Sequence, residues 1–448
     1  MRKSKIPLKT VLFLLIVMNS LSGCSDKKNV KTTAFNGKYP VIDVGSVAGK
    51  YQQAYCSDYF SSIELIPLET NENCLIGIRI LEKTVLMKDS FIFVISEIHT
   101  GSDLYFPQPR NLYVFDRSGN FLNQIGGIGQ GPGEFIGIEY VFLNSEKPTI
   151  FIDDSRFILE YNFAGKFVNS FRKPYIDGFR SIQGNYPTNY VKDNVFIGSI
   201  GYSSTTNNNF FLFGQTGEIV KNFPDRYFLD FHDPQNSFVG YTRPFRIDEN
   251  LYIKDRGIND TIYAIENHEL LPVYVFDFGK FAYPLGEINK EGKIKIINET
   301  NFQMYYKFYE IIGMSKYVFY GLFSPHTLPT PKARPRNVGG TIVANEGTVF
   351  GIYDIEKNTN ILLDTDHHHH QKGFINDING GLSILPRFYA GNDEIVDIWR
   401  AEDMKEMLTD EYFASLKIKD QEAHQKLKDL LKNLQEDDNP VIVIAKLK

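Results

Sequence analysis

Six side chains of types that commonly bind metal ions lie within seven residues of the sequence. Asp364 and Asp366 precede a run of four histidines, His367 to His370. Carboxylate and imidazole groups so close together suggest a zinc or nickel site. Side chains of adjacent residues diverge, however, and seldom converge on one ion. We therefore interpret the run as a solvent-exposed loop, with weak adventitious metal binding as the alternative, and we assign no metal or cofactor to the chain.

The densest run of glycines lies in residues 126–134. Backbone amides of such loops can bind phosphate groups, but the Lys-Ser/Thr pair of a P-loop is missing and the sequence that follows predicts a strand. Pro132 also removes one amide donor. Two roles stay open, a structural connection between two units of the fold and a ligand-facing loop. The residues that would face the ligand are Gly129, Gln130, Gly131 and Glu134.

Two acidic groups, Asp153-Asp154 and Asp255-Arg256, are candidates for acid–base catalysis. A pair of carboxylates hydrolyses glycosidic bonds only at a defined separation across a cleft, which a sequence does not provide. The Ser-His-Asp order and the His-Glu-x-x-His motif do not stand out either. We assign these acids to turns and strand ends, and we identify no catalytic residue.

The clearest chemical prediction concerns Cys24. Residues 1–9 contain four basic side chains, and Val11–Met18 is an apolar run too short to span a bilayer, an order typical of a secretory signal. The next residues, Leu21 to Cys24, resemble the lipobox of bacterial lipoproteins, whose cysteine is acylated before the signal is removed. This resemblance implies lipidation of Cys24, and two or three acyl chains hold a protein firmly on a membrane. A plain signal peptide with an incidental cysteine is the alternative.

Composition excludes one class of partner. Without residues 1–23 the chain has 44 basic and 54 acidic side chains, a net charge of −10. Such a surface repels phosphate backbones, so we expect no nucleic-acid binding. The 36 Phe and 26 Tyr favour strands. Cys56 and Cys74 could form a disulfide in an exported protein or stay as buried thiols.

A hairpin pattern repeats along the chain. Residues 112–122 and 158–168 align without a gap, and Gly119 and Gly165 are 46 residues apart. A third copy contains Gly217, 52 residues later, and fainter copies follow. In each clear copy an Asp, Asn or Gly starts the turn and a glycine takes the left-handed conformation. Repeats of this length are typical of β-propeller blades. The alternative is an unrelated series of hairpins in a sandwich.

The hairpins and strands add up to six blades. Hairpins near residues 119, 165, 217 and 268 mark four, and residues 317–322 and 341–363 form the fifth around a Pro-rich loop. The sixth is expected to begin near residues 380–384, to be interrupted by helical sequence and to resume near residue 440. Apolar residues in the interruption recur at helical spacing and predict a helix packed on the propeller, or alternatively a partner-docking helix. They are Ala423, Leu427, Leu430, Leu431 and Leu434.

Several motifs together resemble the six-bladed β-propeller lipoproteins of Gram-negative anaerobes, which are related to NHL-repeat propellers. The motifs are spread over the chain that follows the signal. They are Leu65–Thr70, Val114–Gly119, Gly126–Phe135, Asn259–Tyr263, Asn376–Gly381 and Asp438–Ile444. The resemblance implies a secreted, lipid-anchored propeller, and it brings no catalytic residues to transfer.

The sequence therefore predicts an all-β chain with a lipoprotein signal over residues 1–23, an acylated flexible tether over 24–50, and a six-bladed β-propeller over 51–448. A C-terminal helical insertion interrupts the last blade, and Val441–Leu447 is expected to pair with Ile63–Leu68. Ser25 lacks the aspartate that commonly retains lipoproteins in the inner membrane, so we expect an outer-membrane anchor. Whether the protein faces the periplasm or the cell surface stays open.

For function, we expect a binding or scaffold protein whose small-molecule, glycan or protein partner meets one end of the central channel. A propeller lyase or hydrolase is the first alternative, and carboxylates or histidines converging in the channel would favour it. A subunit of a nutrient-uptake complex is the second, and a large apolar or aromatic patch on one face would favour it.

Overall fold

Strands account for most of the regular structure, and they form six blades arranged in a ring. The computed structural model describes residues 39–448 with the exception of several segments. These are residues 77–84, 98–109, 155, 177–185, 187, 200–207, 225–226, 230–243, 248–249, 255–259, 289–293, 297–303, 315, 332–335, 339–340, 344–346 and 365–372. The predicted all-β class and the predicted number of blades are confirmed.

The first half of the chain supplies an N-terminal segment and three blades. The segment contains β1 (Val41–Asp43), β2 (Tyr51–Gln52), the short helix α1 (Cys56–Tyr59) and β3 (Phe60–Pro67). Blade 1 contains β4 (Val85–Lys88), β5 (Phe91–Glu97), β6 (Arg110–Asp116) and β7 (Phe121–Ile125). Blade 2 contains β8 (Tyr140–Leu143), β9 (Thr149–Asp153), β10 (Phe157–Asn162) and β11 (Phe167–Arg172). Blade 3 contains β12 (Thr188–Lys192), β13 (Val195–Ser199), β14 (Asn208–Gly214) and β15 (Ile219–Pro224).

The second half supplies the other three blades and two small sheets. After β16 (Tyr227–Leu229), blade 4 contains β17 (Phe245–Ile247), β18 (Asn250–Lys254), β19 (Thr261–Glu266) and β20 (Glu269–Asp277). β21 (Leu285–Ile288) and β22 (Ile294–Ile296) form a small sheet with β16. Blade 5 contains β23 (Lys307–Met314), β24 (Tyr317–Phe323), β27 (Thr348–Asp354) and β28 (Thr359–Leu363), and a hairpin of β25 (Arg336–Val338) and β26 (Thr341–Val343) interrupts it. Blade 6 contains β29 (Phe388–Gly391), β30 (Glu394–Trp399), β31 (Val441–Leu447) and β3, with helices α2 (Ala401–Met407), α3 (Asp410–Ser415) and α4 (Gln421–Asn433) inserted before β31.

The connections divide the ring into two different ends. Because successive strands of a blade are antiparallel, the first-to-second and third-to-fourth links share one end, and the remaining links share the other. Links at the first end of blades 1–5 span two to five residues. Links at the opposite end are mostly long, and they include residues 126–139, residues 278–306 and the helical insertion. We call these two ends the turn face and the loop face.

The turn glycines behave as the sequence predicts. Gly119, Gly165 and Gly217 have φ values of +88°, +80° and +82°, which L-residues rarely adopt. The side chain of Asp116 accepts hydrogen bonds from the amides of Ser118 and Asn120 at 2.8 and 2.9 Å and so starts the first of these turns. The predicted hairpin register is therefore confirmed.

The same glycines also contact the preceding blade. A Cβ atom at Gly119 would overlap the carbonyl oxygen of Pro67, the last residue of the fourth strand of blade 6. At Gly165 it would lie 2.8 Å from the oxygen of Gln124 in blade 1. At Gly217 it would lie 3.5 Å from the oxygen of Arg172 in blade 2. The glycine thus recurs for two reasons, the turn conformation and the close approach of neighbouring blades.

Alanine substitutions should separate these two reasons. We expect Gly217→Ala to cost about 1–2 kcal/mol, the strain of a left-handed L-residue. Gly119→Ala should cost about 1–3 kcal/mol more, because the added methyl group must displace a strand of blade 6. Gly165→Ala should lie between them. Urea unfolding of the three variants measures this order, and equal losses would show that contact between blades does not contribute.

β31 closes the ring. It lies between β30 and β3, with Ile63 opposite Ala445 and Pro67 opposite Val441. Every residue of β31 except Lys446 is buried. The last blade therefore contains three strands from the C-terminal part of the chain and one from the N-terminal part, as predicted.

The N-terminal segment runs around the outside of the ring before it reaches this blade. β1 pairs in parallel with the fourth strand of blade 4, Val41 opposite Val275, and β2 pairs in parallel with the fourth strand of blade 5, Tyr51 opposite Leu362. We call residues 41–67 the N-terminal strap. The fold thus begins near residue 40 and not at residue 51, so the tether predicted over 24–50 is too long at its C-terminal end. Strands of two or three residues have no recognisable periodicity, so β1 and β2 could not be predicted from the sequence.

The helical insertion packs on the propeller. Leu427 in α4 is fully buried in an apolar cluster with residues of blades 5 and 6, and Leu430 and Leu431 pack against that cluster. This confirms the predicted packed helix. The sixth blade begins later than predicted, at Phe388, because residues 373–384 lie against the helices: the hydroxyl of Tyr412 donates to the oxygen of Gly381 at 3.2 Å.

A buried asparagine holds the closed seam together. The side-chain amide of Asn439 donates to the oxygens of Glu69 and Cys74 at 2.6 and 2.9 Å and accepts from the amide of Ile76 at 2.8 Å. The amide of Glu69 donates to the oxygen of Gly119 at 2.8 Å, and its carboxylate accepts from the amide of Phe121 at 2.8 Å. Three of the motifs that carry the family resemblance meet here, so they serve ring closure.

Candidate binding face

The axis of the ring is surrounded by the first strand of each blade, and most of these strands contact one another in sequence. Their described, partly buried side chains are mainly apolar or aromatic. They include Leu86, Met87, Tyr140, Val141, Phe245, Phe308, Phe388 and Tyr389. None of the inner-strand side chains that the structure describes is a carboxylate or a histidine. The described part of this lining therefore offers mainly apolar and aromatic surface for contact.

The glycine-rich loop links blade 1 to blade 2 on the loop face, and its polar groups are largely used within the loop. The amide of Phe135 donates to Gly127 at 3.0 Å, and the amide of Gly129 donates to Phe135 at 2.9 Å. The carboxylate of Glu134 accepts from the amide of Gly131 at 2.7 Å. The position is that of an interblade connection.

The ligand-facing role of Gly129, Gln130, Gly131 and Glu134 stays a prediction. Two of the amides that a phosphate would need are already bonded inside the loop. Gln130 is exposed at its tip, and the hydroxyl of Tyr161 in blade 2 donates to the oxygen of Gly133 at 2.8 Å, which fixes the loop on that blade. The loop is thus a fixed surface feature and not a phosphate cradle.

A buried ion pair lies at the loop-face end of blade 2. The ammonium of Lys173 is 2.8 Å from the carboxylate of Asp153, and both side chains are at most 1% exposed. The same ammonium donates to the oxygen of Tyr186 at 2.9 Å and lies 4.0 Å from the centre of its ring. Burial lowers the pKa of the Lys173 amine, and the adjacent Asp153 opposes that effect. This cluster joins blade 2 to the segment that leads into blade 3.

The acids at this end of blade 2 have the structural roles that we expected of them. Asp154 accepts from the amides of Arg156 and Phe157 at 3.1 and 2.7 Å and so forms the turn between two strands. Asp153 is inaccessible to a substrate. The sequence missed Lys173, since a lysine next to a proline after a strand is normally exposed.

Four exposed apolar side chains belong to strand β10 of blade 2 and to the two connections that flank this blade. Ile128 and Ile136 belong to the glycine-rich connection and are both 46% exposed. Phe157 begins β10 and is 38% exposed, and Tyr175, beyond β11, is 69% exposed. We call these four residues the apolar cluster of blade 2. The guanidinium of Arg156 lies 5.9 Å from the centre of the Phe157 ring.

Backbone hydrogen bonds fix parts of the cluster at the loop-face end of the blade. The amide of Glu139 donates to Asp153 at 2.8 Å, which fixes the C-terminal end of the connection, beyond Ile136, against β9. Ile128 forms a bridge with Phe135, in the part of the connection that packs on Tyr161. The amide of Lys173 donates to Arg156 at 3.0 Å, which fixes the segment with Tyr175 beside the start of β10. Aromatic, aliphatic and arginine side chains together are typical of the central part of protein interfaces.

A second polar cluster, formed by Ser57, Asp377 and Lys419, superficially resembles a serine nucleophile with a lysine base. The hydroxyl of Ser57 donates to the carboxylate of Asp377 at 2.6 Å, and the ammonium of Lys419 contacts both residues. A lysine base must be neutral, but the hydrogen bond that Lys419 donates to the carboxylate of Asp377 raises the pKa of Lys419. Burial would raise the pKa of Asp377, yet its bonds to Lys419 and Ser57 outweigh burial and lower it. The cluster therefore joins the N-terminal strap to the helical insertion and has no catalytic character.

Other predicted sites lie outside the described residues. These are the histidine run 367–370, Asp255-Arg256 and Cys24. Cys56 and Cys74 are both buried, and no disulfide joins them. Among the described residues, no group of three or more His, Cys, Asp or Glu side chains could hold a metal ion. No helix in the described part of the chain is long and apolar enough to cross a membrane.

The six blades arranged in a ring define the class of the protein, which is a six-bladed β-propeller. A family model described as a domain of unknown function, DUF4934, matches residues 39–446, and the chain therefore belongs to this family. Its first matched residue coincides with the start of the N-terminal strap, so the strap is part of the family's fold.

The solved structures that are similar to this chain include the following two. One is a protein of Bacteroides fragilis NCTC 9343 that is described as a predicted exported protein. It is 17% identical to this chain, the match covers 91% of this chain and 99% of that chain, and the TM-score is 0.60. The other is a member of the DUF4221 family from Bacteroides vulgatus ATCC 8482, with 13% identity, 67% and 84% covered, and a TM-score of 0.41. At these identities the likeness concerns the fold alone. No curated protein matches the chain in sequence.

Proposed function

We propose that this protein is an exported, lipid-anchored propeller that binds a partner protein with its loop face. The observation that carries the proposal is the apolar cluster of blade 2. Tyr175 is the most exposed of the large apolar side chains that the structure describes, and Phe157 and Ile136 lie at the same end of the blade. A folded protein gains nothing from leaving such groups in water, whereas tyrosine and arginine commonly dominate binding energy at interfaces.

The anchor and the location belong to the same proposal. The basic and apolar segment before Cys24 supports export, and the Bacteroides fragilis protein of similar fold is described as exported. Acylation of Cys24 would hold the propeller at the outer membrane, and kinship with NHL-repeat propellers is likewise part of this proposal. A small-molecule or glycan ligand is the alternative occupant of the loop face, and Gln130 and Glu134 would then be its polar contacts.

Substitution of the acyl acceptor tests the anchor. We expect Cys24→Ser to abolish incorporation of a labelled fatty acid and to release the protein from the membrane fraction, because the thiol accepts the acyl chains. Metabolic labelling followed by fractionation measures both effects. Ser25→Thr, which leaves the cysteine in place, is the control. Label that persists on Cys24→Ser would show that the lipobox interpretation is wrong.

Paired surface variants test the binding face. In detergent extracts of membranes from the native organism, we expect the wild-type protein to migrate on native gels as a complex larger than the purified chain. Tyr175→Ser combined with Phe157→Ser should return it to the size of the purified chain. Val168→Ser combined with Leu122→Ser removes equally exposed apolar groups from outer strands and should leave the complex intact. Loss of the complex in both double variants, or in neither, would contradict a specific role for the loop face.

The same observation favours one more specific assignment, an accessory subunit of a nutrient-uptake complex at the outer membrane. Such a subunit needs an apolar area on one face for a permanent partner. If the complex seen on native gels contains an outer-membrane transport protein, this assignment is supported. If it contains only a second copy of this chain, the assignment is wrong and the loop face is a dimer interface.

A further inference from the structure

We infer that the outer wall of blade 4 faces the lipid surface to which the chain is anchored, and that blades 1 and 2 lie on the side of the ring away from the lipid. This inference rests on the proposed anchor at Cys24. It adds an orientation, and therefore states from which side a partner reaches the apolar cluster of blade 2.

The first argument is the place where the chain joins the propeller. Val41 pairs with Val275 on the outermost strand of blade 4, and the oxygen of Pro40 accepts from the amide of the same Val275 at 3.1 Å. From there the strap passes blade 5 and enters blade 6. Pro40 and Val41, the second and third described residues after Cys24, are thus fixed on the wall of blade 4.

The second argument is the length of chain between the anchor and this wall. Residues 24–38 can span at most about 50 Å, at 3.3–3.6 Å per residue when fully extended. A folded chain of about 400 residues has a radius of gyration of about 21 Å, so its far side lies near the limit of that reach. Fully extended chains are entropically unfavourable, and the wall of blade 4 is therefore held close to the lipid on average.

The third argument is the order of blades in the ring. The first strands of blades 6 and 1, of blades 1 and 2, and of blades 4 and 5 are in contact, so the blades follow one another in numerical order. In a ring of six, blade 1 stands opposite blade 4. The apolar cluster of blade 2, which the linking loop shares with blade 1, consequently lies on the half of the ring away from the lipid, and a partner reaches the loop face from the side of the ring axis and not through the lipid-facing wall.

The repeat itself provides matched positions for a test. The third residue after each turn glycine, or after His268 in blade 4, is an exposed apolar residue on the outermost strand. These residues are Leu122 in blade 1, Val168 in blade 2, Val220 in blade 3 and Leu271 in blade 4, with exposures of 45%, 53%, 42% and 43%. All four lie at the start of the fourth strand of their blade and differ in their position around the ring; Leu122, Val168 and Val220 lie at irregularities in the pairing, whereas Leu271 pairs with Ala264.

The experiment uses the full-length acylated protein in vesicles whose headgroups carry a nitroxide quencher. Leu122→Cys, Val168→Cys, Val220→Cys and Leu271→Cys are each labelled with a fluorophore. Native Cys56 and Cys74 are buried and Cys24 is blocked by its acyl chains, so the label reacts with the introduced thiol. We expect quenching to be at least twofold greater at position 271 than at 122, with 220 and 168 between them in that order.

Two unfavourable results are distinguishable. Equal quenching at the four positions, or strongest quenching at 122, on protein that floats with the vesicles would overturn the orientation and leave the anchor intact. Protein that does not float with the vesicles, together with absent fatty-acid label, would overturn the anchor and the orientation at once.

Discussion

Deletion of residues 440–448 is expected to turn this protein into an aggregating chain. The deletion removes β31, which is the third strand of blade 6 and pairs on both sides. Val441, Ile442, Val443, Ile444 and Leu447 are at most 4% exposed, and burying each such side chain contributes about 1.5–3 kcal/mol. The sum, about 7.5–15 kcal/mol, is comparable to the usual stability of a folded domain, about 5–15 kcal/mol. β3 and β30 would also present unpaired edges, which promote aggregation.

A milder variant tests the same seam in a protein that still folds. Asn439→Ala keeps β31 but leaves the amide of Ile76 and the oxygens of Glu69 and Cys74 without their partner. Each buried group left in this way costs about 1–3 kcal/mol. Asn433→Ala, at the exposed C-terminal end of α4, is the matched control and should change little. Thermal unfolding and light scattering measure both effects. A truncated protein that stays monomeric with an unchanged melting midpoint would contradict closure at this seam.

The second large effect is expected for Lys173→Met. The substitution leaves the carboxylate of Asp153 buried without its cation, and breaking a buried pair in this way typically costs about 3–5 kcal/mol. It also removes the bond to the oxygen of Tyr186, which joins blades 2 and 3 at the loop face. Urea unfolding gives the loss of free energy. Lys221→Met, which breaks a surface pair with Glu269, should cost at most about 1 kcal/mol.

A double variant distinguishes loss of the pair from loss of packing. Lys173→Met combined with Asp153→Asn removes both charges and should recover much of the stability that Lys173→Met loses. If the double variant is as unstable as the sum of the two single variants, the two side chains do not interact. That outcome would mean that the cost comes from packing around Tyr186 and not from the ion pair.

Much of the fold could be predicted because the physical cause of each blade is local. A turn such as that at Gly119 needs a left-handed residue, and the strands around it alternate, so the repeat is visible in one sequence. The contact between Gly119 and Pro67 adds a constraint at the same position and makes the repeat still clearer. Closure by β31 could be predicted because an apolar strand at the end of a chain needs a partner.

The candidate binding face could not be predicted in the same way. Its residues come from two connections and the start of β10, and whether Tyr175 or Phe157 is exposed depends on which neighbouring blade covers them. Lys173 is buried by the segment at Tyr186, a contact that is remote from any sequence pattern. The strap was missed because β1 and β2 are too short to have a periodicity. The exposure of Tyr175 and Phe157, the burial of Lys173 and the path of β1 and β2 all depend on contacts between separate segments of the chain, which no single stretch of sequence reveals.

The central claim is that the loop face, and no other surface, meets the partner. A photo-crosslinking amino acid at Tyr175, compared in living cells with the same amino acid at Val168, tests this claim most directly. Both positions are exposed apolar residues of blade 2, one on the loop face and one on the outer wall. We predict a discrete crosslinked product at 175 and none at 168. Products at both positions, or a product at 168 alone, would contradict the assignment of the loop face as the binding surface.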